Sequence, residues 1–247
     1  MPPRARPDLG SHKRARVDIS AVGGAAHSDT ELASPIDPRF FDSKTMAACK
    51  RDFHAAQPFP HLRLTKFCDE GRMRGIREEI TGRLHAKFKE TDLYKVCAAL
   101  PPPRAMYLLL KLCAQVNQTG DLTVIDDLPA AQRQQLQQLC SLRDSLYTKQ
   151  FRQWIQHVTG CCELTDRVDC AANIYEAGCH LLCHDDVIST RHVSYIIYLS
   201  DGDWAQEDGG ALELYPVAPG GNAPAARPSA QLLPSWNSMC VQLAYAL

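Results

Sequence analysis

The residues best able to do chemistry stand together in Leu181-Leu182-Cys183-His184-Asp185-Asp186. Read as an extended strand, this run sends successive side chains to opposite faces. His184 and Asp186 then share a face, and Asp185 points away. An imidazole and a carboxylate at that spacing are two members of a 2-His-1-carboxylate triad, which holds Fe(II) and leaves coordination positions open. A lone His-x-Asp also recurs by chance, and an ordinary surface or core histidine is then the commoner outcome. His180, four residues earlier, is in phase with His184. It is either a substitute ligand or, more commonly at such a place, a packing residue. Cys179 and Cys183 share that spacing, but thiolates suit zinc better than this iron chemistry, so both read as buried thiols. Trp204 and Trp236 read as packing or wall aromatics, Glu176 as an exposed strand carboxylate and His192 as a strand-end residue.

Something must position this pair. Residues 172–183, 192–200, 210–216 and 238–245 read as strands rich in Ile, Val, Tyr and Leu. Asp208-Gly209-Gly210 reads as a hairpin-type turn between two of them. Pro216 to Pro234 holds five prolines and Gly220-Gly221, and reads as a loop. Helical spacing dominates earlier in the chain. Leu62, Leu64 and Phe67 suggest a strand running into Asp69. That Asp is placed to cap a helix with Met73, Ile76, Ile80, Leu84 and Phe88 on one face. Asp127 and Pro129 open a Gln-rich helix with Leu136, Leu139, Leu142 and Leu146 inward. A further helix carries Phe151, Trp154, Ile155 and Val158, and Gly160 stops it. Helices followed by short strands fit an α+β fold, with helices packed against a jelly-roll-like double sheet.

Composition narrows the classes. The chain has 247 residues, with 27 Lys+Arg against 28 Asp+Glu, a net charge of −1. That balance argues against direct nucleic-acid binding. No apolar run reaches the roughly 18 residues of a membrane span, and Met106 to Val116 carries Lys111. The start of the chain has no apolar segment of the secretory kind. The 11 cysteines, an odd number without a C-x-x-C pair, read as reduced thiols of cytosol or nucleus and disfavour a zinc finger. Residues 1–35 are rich in Pro, Gly, Ala and Ser and read as a disordered basic tail. Its Lys13-Arg14-Ala15-Arg16 cluster is either a nuclear localisation signal or a solvated charge run.

The motifs around the His–Asp pair carry a resemblance. Tyr175-Glu176 precedes it. Val193-Ser194-Tyr195-Ile196-Ile197-Tyr198-Leu199, Asp203-Trp204, Gly209-Gly210-x-Leu212-x-Leu214-Tyr215 and Pro234-Ser235-Trp236-Asn237 follow it. With Asp92-Leu93-Tyr94-Lys95 and Gly120-Asp121-Leu122, this string resembles the ribosomal prolyl 3-hydroxylase family of Fe(II)- and 2-oxoglutarate-dependent oxygenases. The resemblance covers most of residues 36–240. It implies a double-stranded β-helix core with N-terminal helices, in one oxygenase domain over 36–247. It implies His184 and Asp186 as iron ligands and Tyr198, fourteen residues after His184, as the residue hydrogen-bonded to 2-oxoglutarate. It also implies ascorbate as a support for the iron and a proline of a small-subunit ribosomal protein as substrate, in nucleus and cytoplasm. Two departures stand out. Residues 96–117 intervene where the family runs almost continuously. The family's distal His ligand and its carboxylate-binding arginine fall beyond residue 247, so the expected domain is truncated and its sheet incomplete. The alternative expectation is an inactive isoform that only holds a peptide.

Overall fold

Side-chain caps start the first two helices, the second of them at Asp69 as the sequence predicts. The computed structural model describes residues 16–23, 32–84, 87–90, 114–176, 179–187, 190–221 and 223–244. The first element is a strand, β1 (Arg16–Gly23). Asp42 opens α1 (Ser43–Ala55), its carboxylate accepting from the N–H groups of Lys44 and Thr45. These are donors that a helix start otherwise leaves without partners. After β2 (His61–Thr65), Asp69 opens α2 (Glu70–Arg83) by accepting from Arg72 N–H at 2.9 Å. Met73, Ile76 and Ile80 are fully buried, as their spacing predicts. The helix does not continue to Phe88, however. Leu84 is extended, and Lys87–Glu90 forms β3, paired antiparallel with β4 (Ala114–Gln118). Strand pairing overrides the local spacing there. β4 also lies at the end of the intervening segment 96–117, whose residues 96–113 are outside the described ones.

The expected Gln-rich helix is present but broken. A 3-10 segment (Leu122–Asp127) and a helical turn (Ala130–Arg133) precede α3 (Gln137–Tyr147). Leu136, Leu139, Leu142 and Leu146 are all buried. The break has a distant cause. The Glu79 carboxylate of α2 accepts from the N–H groups of Gln138 and Leu139 at 3.1 and 2.8 Å. A neighbouring helix thus supplies the cap. Thr148 caps α4 (Lys149–Thr159), and Gly160, at φ 70°, ends it. The α4 ring of Phe151 stacks on Trp154 and meets Phe67 and Tyr195 edge-on. The Trp154 indole donates to Phe40 O at 2.8 Å. No helix among the described residues is long and apolar enough to cross a membrane.

The remaining strands are β5 (Val168–Tyr175), β6 (His180–Leu181), β7 (Val193–Tyr198), β8 (Leu212–Leu214), β9 (Ala230–Leu232) and β10 (Ser238–Leu243). The main sheet runs β2-β10-β7-β1-β5-β4-β3, all neighbours antiparallel, with β6 also on β4. Three expectations need correction. The stretch expected as one strand over 172–183 is two, β5 and the two-residue β6. Asp208-Gly209-Gly210 does turn the chain, with both glycines at positive φ, but it joins no hairpin: β8 pairs with β9, from inside the expected loop. The disordered-tail reading of 1–35 fails for Arg16–Gly23, which lies between β7 and β5. Its alternation of Val17, Ile19 and Ala21 with Asp18 and Ser20 suits a strand, and two neighbours supply ladder partners on both edges.

The strands β7 and β10 are two-faced. Val193, Tyr195 and Ile197 join Met239 and Val241 in the core shared with the helices. Ser194, Ile196 and Tyr198 face the other way with Ser238, Cys240 and Gln242, their register partners being Ser194–Gln242, Ile196–Cys240 and Tyr198–Ser238. At the end of this pair Asn237, at φ 52°, joins three elements. Its backbone N–H donates to Tyr198 O and its carbonyl accepts from Phe67 N–H. Its side chain accepts from Cys68 N–H at 2.9 Å and donates to Cys68 O at 2.7 Å. Asn tolerates this backbone conformation, so the residue of the Pro-Ser-Trp-Asn motif is a structural tie. Asn237→Ala leaves a buried donor and acceptor unpaired and is expected to cost on the order of 3 kcal/mol in urea unfolding. Asn237→Gly keeps the backbone conformation and should lose a similar amount. A near-neutral Asn237→Gly would assign the role to backbone geometry alone.

Candidate active site

The polar face of β7 and β10 lies under the segment that follows β6. His184 and Asp186 meet there, with His184 Nε2 and Asp186 Oδ1 3.3 Å apart and side chains 29% and 21% exposed. The expected pair is therefore formed, by a different backbone route. Residues 182–187 are not a strand, and Asp186 sits at φ 58°, in the left-handed region. The carboxylate reaches the imidazole through a turn. His184 Nδ1 lies 2.6 Å from Leu182 O, which assigns the proton of the neutral ring to Nδ1 and leaves Nε2 its lone pair. Asp185 accepts from Val187 N–H at 3.0 Å, an Asx-type contact that tightens the turn.

Two residues passed over in the sequence complete the surroundings of Asp186. Arg191 Nη1 lies 3.4 Å from Oδ1, and Gln242 Nε2 donates to Oδ2 at 3.1 Å. Arg191 belongs to a segment that reads as a polar turn. Gln242 had a visible signal: Ser238, Cys240 and Gln242 alternate with Met239, Val241 and Leu243, which marks a second, polar face on that strand. Three buried polar atoms in these two residues and in Ser194, the strand partner of Gln242, have no hydrogen-bond partner among the described residues: Arg191 Nε, Ser194 Oγ and Gln242 Oε1.

Electrostatics follow from the contacts. The hydrogen bond to Asp186 raises the His184 pKa above its usual value, against burial, which lowers it. Burial alone would raise the Asp186 pKa. The hydrogen bond and charge of His184, the charge of Arg191 and the Gln242 amide outweigh it and hold the carboxyl below its ordinary value. Asp186 is thus kept ionised. A proton and a divalent cation compete for the same Nε2 and Oδ1.

Tyr198 is buried, on the same sheet face as Ser194 and Gln242. Four residues of strand separate it from the Ser194 rung, about 13 Å of backbone. Asn173 of β5, buried on that face, accepts from Gln118 Nε2 at 2.8 Å. His180 lies on β6, opposite Gln115. Among the described residues no group of three or more His, Cys, Asp or Glu converges. Cys183, expected buried, is exposed. Trp204 donates to Gly209 O and Trp236 to Glu70, both at the rim of secondary elements.

The sequence profile of the 2OG-Fe(II) oxygenase superfamily matches residues 170–243, the stretch from β5 through β10. Over that stretch the chain resembles an oxygenase domain of this superfamily. The chain is similar to prolyl 3,4-dihydroxylase OGFOD1 of Ostreococcus tauri, 41% identical over 184 residues, 74% of this chain and 32% of that protein. Prolyl 3-hydroxylase OGFOD1 of Xenopus laevis is 37% identical over 100 residues, covering 40% of this chain and 18% of that protein. Prolyl 3-hydroxylase sudestada1 of Drosophila melanogaster is 28% identical over 197 residues, covering 77% and 31%. The chain spans about a third or less of these relatives' lengths.

The residues present suit the oxygenase's iron. A borderline imidazole nitrogen and a hard carboxylate oxygen aim at each other, and the polar atoms around them are satisfied by one contact each or by none. Among the described residues, His184 and Asp186 are placed where they would hold such a cation, in a turn that keeps Asp185 engaged elsewhere. Asp186→Ala should therefore weaken Fe(II) binding about ten-fold or more, and Asp185→Ala much less. Anaerobic Fe(II) titration of the two folded variants checks this. Equal losses would mean that the turn, and not the Asp186 carboxylate, governs binding.

Proposed function

We propose that this chain is the oxygenase portion of a peptidyl-proline 3-dioxygenase. It hydroxylates C3 of a prolyl residue in a small-subunit ribosomal protein, with Fe(II), 2-oxoglutarate and dioxygen, and ascorbate maintaining the iron. The observation that carries this reading is the His184–Asp186 pair at 3.3 Å, inside the stretch matched by the oxygenase profile. The names of these relatives, prolyl hydroxylases, support proline as the target. Resemblance to the superfamily implies a double-stranded β-helix. The strands β5 to β10, with a second small sheet of β8 and β9, are read as an incomplete version of it. A small-subunit ribosomal protein as the substrate, and the nucleus and cytoplasm as the place of action, are parts of the same proposal. The latter rests on the basic cluster at residues 13–16.

When bound, the iron supplies activation of dioxygen, so that one oxygen atom enters the proline C–H bond and the other enters succinate as 2-oxoglutarate loses CO2. The protein's share is placement. His184 presents Nε2 because Nδ1 is engaged at Leu182 O. Asp186 presents an ionised oxygen because its neighbours favour the charged form. Tyr198 presents a hydroxyl on the polar face, to the carboxylate of 2-oxoglutarate.

A second reading has one observation behind it. A facial triad takes three protein ligands, and no third His, Cys, Asp or Glu joins the pair among the described residues. The chain then holds a proline-bearing peptide without turning it over. The discriminating experiment incubates the chain with Fe(II), 2-oxoglutarate, ascorbate and a proline-bearing peptide of a small-subunit ribosomal protein. Succinate and a mass gain of one oxygen on the peptide are read together. Coupled product that disappears in His184→Ala supports the enzyme. Peptide binding without succinate supports the second reading. In an active preparation Tyr198→Phe should raise the apparent KM for 2-oxoglutarate roughly ten-fold, the value of one hydrogen bond to a charged group. An unchanged KM with normal folding would return Tyr198 to the core.

A further inference from the structure

We infer that Gln242 is a positioning residue for Asp186, fixing which carboxylate oxygen meets a cation held with His184. This rests on the reading of His184 and Asp186 as iron ligands. Asp186 stands outside any strand, at φ 58°, so no ladder sets the rotation of its carboxylate. Its two oxygens are nevertheless distinguished. Oδ1 faces His184 Nε2 at 3.3 Å and Arg191 at 3.4 Å, while Oδ2 takes the Gln242 amide at 3.1 Å.

The two flanking residues act in opposite senses. Arg191 brings positive charge to the oxygen that a metal would use, so it competes with a cation there. Gln242 is neutral and sits on the other oxygen, so it orients without competing. It is also firmly mounted: β10 is paired on both edges, Gln242 opposite Ser194 of β7 on one side and His61 of β2 on the other. The direction of the amide is fixed by chemistry, because Oε1 against an ionised carboxylate would repel it. Gln242 Oε1 is buried with no hydrogen-bond partner among the described residues, an arrangement that stability alone does not favour. The contact of Nε2 with Asp186 is what it gains in exchange. Partners that orient a ligating carboxylate typically change metal affinity 10–100-fold when removed.

The test uses the whole chain with Co(II) as the probe, read by calorimetric titration and by the Co(II) visible absorption. Gln242→Met keeps the length of the side chain and removes the donor. Gln242→Asn keeps the amide but falls short of Asp186. Both are expected to bind Co(II) about 10–100-fold more weakly and to alter its absorption, while metal-free melting temperatures stay near that of the unaltered chain. Unchanged Co(II) affinity in either folded variant overturns the inference. So does a loss of affinity matched by an equal loss of metal-free stability in both. His184→Ala separates the two levels of argument. If it binds Co(II) as well as the unaltered chain, or if the unaltered chain does not bind, the iron-site reading fails and the inference with it. If His184→Ala loses binding and the Gln242 variants do not, the positioning role alone is lost.

Discussion

The structure depends on one strand pair meeting two opposed demands. β7 and β10 must be dry on one face, where Tyr195, Ile197, Met239 and Val241 meet the helices, and polar on the other, where Ser194, Tyr198 and Gln242 lie. The antiparallel register enforces this, because a slip of one residue would exchange every side chain between the faces. Asn237 guards the register at one end. Its four bonds to Tyr198, Phe67 and Cys68 tie β10 to β7 and to the junction of β2 with α2. The helices therefore act on the site only through the sheet: they bury its back and leave its front to chemistry.

At the front, the governing quantity is the charge of Asp186. Burial by itself would favour a neutral carboxyl, which holds cations poorly. A protonatable imidazole, a guanidinium and an amide surround it and reverse that preference. The same three neighbours divide the carboxylate into an oxygen that meets positive charge and one that does not. If His184 and Asp186 hold a cation as proposed, it would compete there with a proton and with Arg191, and its affinity would fall as the pH falls.

The sequence made parts of this legible and hid others, for physical reasons. The buried stripes of α2, α3 and α4 were readable because helical spacing is local. So were the edges of β7 and β10 and the meeting of His184 with Asp186. The route by which that pair meets was not. Strand parity predicted a shared face, and a turn with a left-handed Asp186 delivered the contact instead. The break before α3 was invisible because its cap, Glu79, comes from another helix. Gln242 was overlooked as one polar residue near the end of an apolar-looking strand, although its alternation with Val241 and Leu243 marked it. β1 was missed because its neighbours in sequence are Pro-, Gly- and Ser-rich, and composition averages over them.

That last miss bears on how the sheet is held. Among the described residues β5 and β7 are joined to each other only through β1, which precedes every helix and every other strand. Each of its eight residues pairs with β5, and Asp18 to Ala21 pair with β7 as well. Asp18 stands in one row with Asn173 and Tyr198, the polar face's buried residues. The segment farthest in sequence from the His–Asp pair thus completes the sheet on which that pair depends. Long-range pairing of this kind is entropically costly to close. The ends of β7, where Tyr198 meets β1 and where Ser194 meets Gln242, connect the two tasks of sheet assembly and ligand placement in a single strand.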